Sequence, residues 1–132
     1  MNREPFQSKH TKSPWSIDES KCLSVEEVAI LRAYCTKVKE RGLKREKFSL
    51  IRNWFMVELG LNTGLRVEEM ASLQHGQCFL DKGKSSIVIT GKGDKKRAVW
   101  ISESFRKTCL VYFGHKRDFG YSSNNDEYVL NN

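Results

Sequence analysis

From Val28 onward apolar residues recur every three or four positions, so Val28, Leu31, Cys35 and Val38 mark one face of a helix. Ser24 and Glu27 stand ahead of it in capping-box spacing, and Gly42 offers a stop. A second helix is predicted from about Arg45 to Asn62, with Phe48, Ile51, Phe55 and Leu59 on its stripe and Trp54 beside them. The segment "NTGLR" interrupts that pattern, and "RVEEMASL" predicts a short third helix burying Val67, Met70 and Leu73. The period then shortens to that of a strand: "SSIVIT" and "KRAVWIS" are β-branched runs flanking "GKGDKK", which predicts a hairpin with a basic tip. "CFL" predicts a third strand before it. Ser102 is placed to cap a fourth helix whose Phe105, Cys109, Tyr112 and Phe113 face inward. "GHKRDFGYSSNND" reads as loop and "EYVL" as a last short strand. The expected class is α+β: helices, a small three-stranded antiparallel sheet and a further helix.

At 132 residues the chain is one domain's worth of sequence, enough to bury about two thirds of its unfolded surface. Residues 1–21 hold both prolines and little apolar pattern, so they read as a linker or arm ahead of a domain over 22–132. The formal charge of +7 favours a polyanionic partner, nucleic acid before an anionic membrane. No run nears the ~18 apolar residues of a membrane span, and the first residues lack the apolar core of a signal peptide, so a cytoplasmic location is expected. Cys22, Cys35, Cys78 and Cys109 form no C-x-x-C pair and are expected as reduced, small apolar residues in or near the core.

Arg66 is the first candidate for chemistry. It opens a helix, where a hydroxyl or carboxylate is the usual choice because those groups complement the positive helix end. Gly64 permits a tight turn before it, and Glu69, three residues on, can hold the guanidinium by one edge and leave the other for a bidentate contact. An arginine held in that way suits a phosphate better than a mobile lysine. The second candidate is the hairpin tip, where Lys92, Lys95, Lys96 and Arg97 concentrate positive charge. Charged tips are commonly idle, and neither G-x-x-x-x-G-K-[ST] nor G-x-G-x-x-G is present. His115, Arg117 and Tyr121 crowd one segment, a combination that polar loops collect freely. His10 and His75 have no partners at metal-ligand spacing, H-E-x-x-H and G-x-S-x-G are absent, and neither a metal nor a cofactor is expected.

With "LGLNTGLRVEEMASL" followed by Lys92 in "ITGKGDKKRAVWIS", the sequence resembles the tyrosine recombinases of the phage-integrase family from about Leu23 to Val129. Each half alone is a moderate signal; in order and at this spacing they are a specific one. The resemblance implies enzymes that cleave DNA through a tyrosine, forming a 3′-phosphotyrosyl link and a free 5′-hydroxyl. Arg66 then matches an arginine that stabilises phosphoryl charge, Glu69 the acidic position that orients it, and Lys92 the hairpin lysine that protonates the leaving oxygen. Lys95, Lys96, Arg97 and Thr63 are the expected DNA contacts, and double-stranded DNA is the expected partner.

The departures from the family pattern set the expected activity. Glu68 stands where a serine is common, and Gln77 near a usual aspartate. The family continues with an H-x-x-R segment and a nucleophilic tyrosine, whereas "HKRD" carries Asp118 in place of that arginine and the sequence reaches "EYVLNN" where the second half would begin. Tyr34, Tyr112, Tyr121 and Tyr128 fall in elements that do not carry the nucleophile, and the family's separate amino-terminal DNA-clamping domain is not seen. The leading expectation is the amino-terminal half of a recombinase catalytic domain that holds DNA without cutting it. Two alternatives stand beside it. One is a non-catalytic DNA-binding regulator derived from an integrase. That regulator could bind a full-length recombinase; the other alternative is an interaction module that associates with itself through the Phe105–Phe113 helix or the "EYVL" strand.

Overall fold

A computed structural model describes residues 22–131; the expected arm over 1–21, with His10 in it, lies outside the described residues. The chain divides into two compact units, Met1–Leu31 and Arg32–Asn132. In the first, the Glu27 N–H donates to Ser24 Oγ at 3.1 Å and the Ser24 N–H to Glu27 Oε1 at 2.8 Å. This capping box starts α1 (Val25–Lys44) as the spacing predicts. Cys22 is exposed, contrary to expectation, because it precedes the helix and shares no apolar stripe.

The second unit is built on α2 (Phe48–Thr63) and α4 (Glu103–Asp118). Phe48, Ile51, Trp54, Phe55 and Leu59 are all buried, the stripe read from the sequence. Phe55 lies flat on Tyr112, ring centroids 4.1 Å apart and planes 3° from parallel, and stacks on Phe105 at 5.9 Å. Each such ring contributes about 1.5–3 kcal/mol by leaving water. The second helix begins at Phe48 and not Arg45, since Glu46 takes a left-handed φ of 53° and Lys47 is extended.

Gly42 does not end α1, which runs on to Lys44. Its role is close approach: a Cβ there would meet Leu50 Cβ at 2.8 Å and the Lys47 carbonyl at 3.0 Å. Gly42→Ala is therefore expected to lower stability by about 1–3 kcal/mol, read as an earlier urea midpoint. An unchanged midpoint would mean that this contact gives way without cost.

The third helix, α3, is short (Val67–Ala71), and its expected burial is only partly found. Val67 is 76% exposed, Met70 is half-buried, and Leu73 is buried but lies beyond the helix. One turn and a half cannot present three positions to the same side, so the apolar phase passes to the segment after it.

Strands β1 (Cys78–Phe79), β2 (Ser86–Thr90) and β3 (Lys96–Trp100) form an antiparallel sheet in that order. Ile87 and Ile89 are buried, which defines the inner face, and Val99 and Arg97 stand opposite them. Thr90 stands opposite Lys96 on the other face. Helices and this sheet together make the α+β fold that was expected.

Two readings of the last third are corrected. The segment "HKRD" is not loop but the last turn of α4. "EYVL" forms no strand; Tyr128 makes a single bridge to Gln74, and the rest of residues 124–131 is a strap. The backbone of that strap is stitched to the segment after α3. The His75 N–H donates to the Glu127 carbonyl at 3.0 Å, Gly76 N–H to Asn125 at 2.9 Å, and Val129 N–H to Leu73 at 2.8 Å.

Candidate functional site

The turn that carries Arg66 is held by its own backbone. Gly64 ends α2 with φ 67° and ψ 20°, the left-handed geometry that glycine adopts at no cost, and its N–H donates to the Gly60 carbonyl at 3.0 Å. Thr63 Oγ1 donates to the Leu59 carbonyl at 2.6 Å and accepts the Leu65 N–H at 3.2 Å. The hydroxyl proton of Thr63, an expected DNA contact, is thus committed to shaping the turn. Leu65 is buried and Arg66 is exposed. A guanidinium has no acceptor atom, so Arg66 cannot cap α3 with its side chain. Glu69 supplies the missing half: its Oε1 accepts the Arg66 N–H at 2.9 Å.

The partner of the Glu69 carboxylate differs from the one the spacing suggests. Arg97 Nη1 donates to Glu69 Oε2 at 2.8 Å and Nη2 to Oε1 at 3.1 Å, a two-pronged pair. Glu69 therefore reaches Arg66 through the main chain and grips the guanidinium of Arg97 instead. The reason is register. Arg97 stands opposite buried Ile89, so its side chain leaves the sheet on the inner face, away from the tip cations with which the sequence groups it. The hydrogen bonds from Arg97 and then from the Arg66 N–H hold the Glu69 carboxyl down to about 2, and the same contact raises Arg97.

Lys92 opens a short 3-10 turn, Lys92–Asp94, and Lys92, Lys95 and Lys96 are all exposed. The Gly91 N–H donates to the Lys95 carbonyl across its base at 2.6 Å. Asp94 adopts a φ of 59°, which aspartate tolerates better than most side chains. The Glu69–Arg97 pair thus fastens the stem of the hairpin that carries Lys92 to the helix that Arg66 opens.

A family model, that of the phage integrase family, matches residues 22–132. The chain belongs to the phage integrase family. No curated protein and no solved structure matches it.

The tyrosines of this integrase-family chain are spread over the fold. Tyr34 is exposed on α1 and Tyr121 packs on Phe48 at 4.4 Å between ring centroids. Tyr128 is exposed, with its backbone in the Gln74 bridge. Tyr112 is fully buried, donates to the Val129 carbonyl at 2.8 Å, and has its ionisation pushed up by burial. His115 and Arg117 lie two apart on a helix and so do not face each other, which dissolves the cluster that the sequence suggests.

One polar pair escapes the sequence reading. Lys116 is completely buried, its Nζ 2.9 Å from His75 Nε2, and it donates to the carbonyls of Tyr128 at 2.9 Å and Val129 at 3.1 Å. Burial pulls Lys116 down to about 8 and, with the lysine charge adding, His75 to about 4. At neutral pH a cationic lysine thus donates to a neutral imidazole. The signal was present: Phe105, Cys109 and Tyr112 step along α4 by four and three, and the next step is Lys116.

Among the described residues no His, Cys, Asp or Glu group could hold a metal ion, and no helix is long and apolar enough to cross a membrane. Of the surfaces expected to mediate self-association, Phe105, Cys109, Tyr112, Val129 and Leu130 are buried, while Leu110, Val111 and Tyr128 are exposed. Further apolar surface lines a groove of about 490 Å³, to which Met56, Val57, Val67 and Met70 contribute.

Proposed function

We propose that this chain binds the sugar-phosphate backbone of double-stranded DNA through Arg66, Lys92, Lys95 and Lys96, and that it does not cut DNA unaided. The supporting observation is a single arrangement. In a chain of the phage integrase family, exposed cations sit on two elements that the Glu69–Arg97 pair ties together. Arg66 offers a planar fork for phosphoryl oxygens, and Lys92 a mobile ammonium that can reach a leaving oxygen. Donors of this type stabilise charge on a phosphate but supply no nucleophile. The Tyr112 hydroxyl is buried on the Val129 carbonyl, and no hydrogen bond joins the hydroxyl of Tyr34, Tyr121 or Tyr128 to another described residue. The chain would serve either as half of a recombinase active site or as a regulator that covers sites, and the binding step is the same in both. The reading needs no cofactor and suits the cytoplasmic location expected from the sequence.

The test is fluorescence anisotropy with a labelled duplex at rising salt, beside a phosphorothiolate-bridged duplex that traps covalent adducts. Four phosphate contacts should weaken binding about a hundredfold between 50 and 200 mM salt, because each contact releases counterions. Affinity that ignores salt would sink the phosphate reading. A trapped adduct would show that one of the tyrosines is a nucleophile after all.

A further inference from the structure

We propose that Arg97 is a positioning residue for the phosphate site: by occupying the Glu69 carboxylate it keeps the Arg66 guanidinium available to a ligand from outside. The inference rests on the phosphate-binding reading of Arg66 and adds a role that the tip charge of the hairpin does not suggest.

Arg66 stands at the cap position of α3 and Glu69 lies three residues on in its first turn, close enough in sequence for carboxylate and guanidinium to pair with each other. Such a pair would cover the phosphate-binding edge of Arg66 with the protein's own anion. In the fold both carboxylate oxygens are already taken. Oε1 accepts the Arg66 N–H and Arg97 Nη2, and Oε2 accepts Arg97 Nη1. A fork-to-carboxylate contact is the stronger competitor, because two parallel N–H donors meet two oxygens at once. No hydrogen bond or ion pair joins the Arg66 guanidinium to another described residue.

Register makes the arrangement specific. Arg97 reaches Glu69 because it stands opposite Ile89 on the inner face, whereas Lys96, its neighbour, stands opposite Thr90 on the other face. Shifting the hairpin by one residue would put Lys96 inside and Arg97 outside, and a lysine brings a point charge without the fork. Arg97 therefore does two things through one contact. It neutralises the carboxylate that accepts the Arg66 N–H, and it anchors the stem below Lys92.

The experiment follows the Arg66 side chain and duplex affinity in parallel, in the full chain. Arg97→Gln, Glu69→Gln and the double variant are compared with the parent protein. An exposed pair adds little stability, so all should fold. In the DNA-free protein, Arg97→Gln should shift the Arg66 Nε–H resonance and slow its exchange with water, as Arg66 turns onto the vacated carboxylate. The double variant should restore both. Duplex affinity should fall about tenfold in Arg97→Gln, and by about threefold or less when the same change is made in the Glu69→Gln background.

An Arg66 resonance that does not move in Arg97→Gln overturns the proposal, whatever the DNA does. So does an equal loss of affinity in both backgrounds, which would make Arg97 a direct phosphate contact. If the resonance behaves as expected but no form of the protein binds the duplex, the positioning role stands and the DNA reading fails.

Discussion

Replacing Lys116 with methionine is expected to cost about 3 kcal/mol of stability, seen as a large fall in the urea midpoint. Methionine fills much of the volume but donates nothing. It would strand His75 Nε2 and the Tyr128 carbonyl inside the protein, while the Val129 carbonyl keeps its bond from Tyr112. Removing the imidazole as well, in Lys116→Met with His75→Phe, takes away one stranded acceptor and should recover part of the loss. A single variant as stable as the parent would mean that the strap does not depend on this cation.

The same pair gives a dependence on acid. The folded-state value of His75 is depressed from 6.5 to about 4, so below pH 6.5 the unfolded chain binds a proton that the folded chain refuses. Stability is then fully present above pH 6.5 and falls by about 3 kcal/mol as the pH drops towards 4. The groups around the pair are Lys116 itself, the Phe113 ring, Cys78 and Glu127; the carboxylate of Glu127 favours a gain of positive charge there, and the Lys116 ammonium opposes it at His75. Urea titrations at pH 7, 5.5 and 4.5 should show the decline, and His75→Phe should flatten it.

The second large effect is on binding. Arg66→Glu should weaken duplex affinity by at least about tenfold while leaving the melting temperature nearly unchanged, because an exposed side chain outside the core carries little stability. Arg66→Lys keeps the charge and loses the fork, so it should fall between the two. Lys92→Gln should weaken binding less than Arg66→Glu, and mainly by lowering the salt slope by about one. Equal affinity in the parent and Arg66→Glu would remove Arg66 from the site.

Long apolar stripes were the most legible part of the sequence. Phe48, Ile51, Phe55 and Leu59 are inside, as their spacing requires, and so are Ile87 and Ile89 in the hairpin. Short elements were not legible, since a five-residue helix holds too few turns for its phase to be read from Val67, Met70 and Leu73. The candidate site divides along similar lines. Arg66 and Lys92 could be singled out as candidates because a turn and a hairpin have local signatures. The partner of Glu69 was missed because strand parity decides which way Arg97 points, and parity depends on pairing with β2. The burial of Lys116 was legible in the step of α4, but its partner His75 was not, because the contact joins residues 41 apart.

The strap has a consequence for the order of events in folding. Its ties span long stretches of chain: the Gln74 side chain meets the Asp126 carbonyl across 52 residues, and Arg52 meets the Asn131 carbonyl across 79. The β2–β3 hairpin closes over a few residues, and hairpin formation takes on the order of microseconds. Contacts between distant positions form later, since the entropy of closing the loop comes first. On the ribosome the hairpin and the helix of Arg66 thus emerge well before the segment that supplies the carbonyls for Lys116. During that interval the lysine has no strap to hold, and the hairpin and the turn of Arg66 are assembled ahead of the clasp that closes on them.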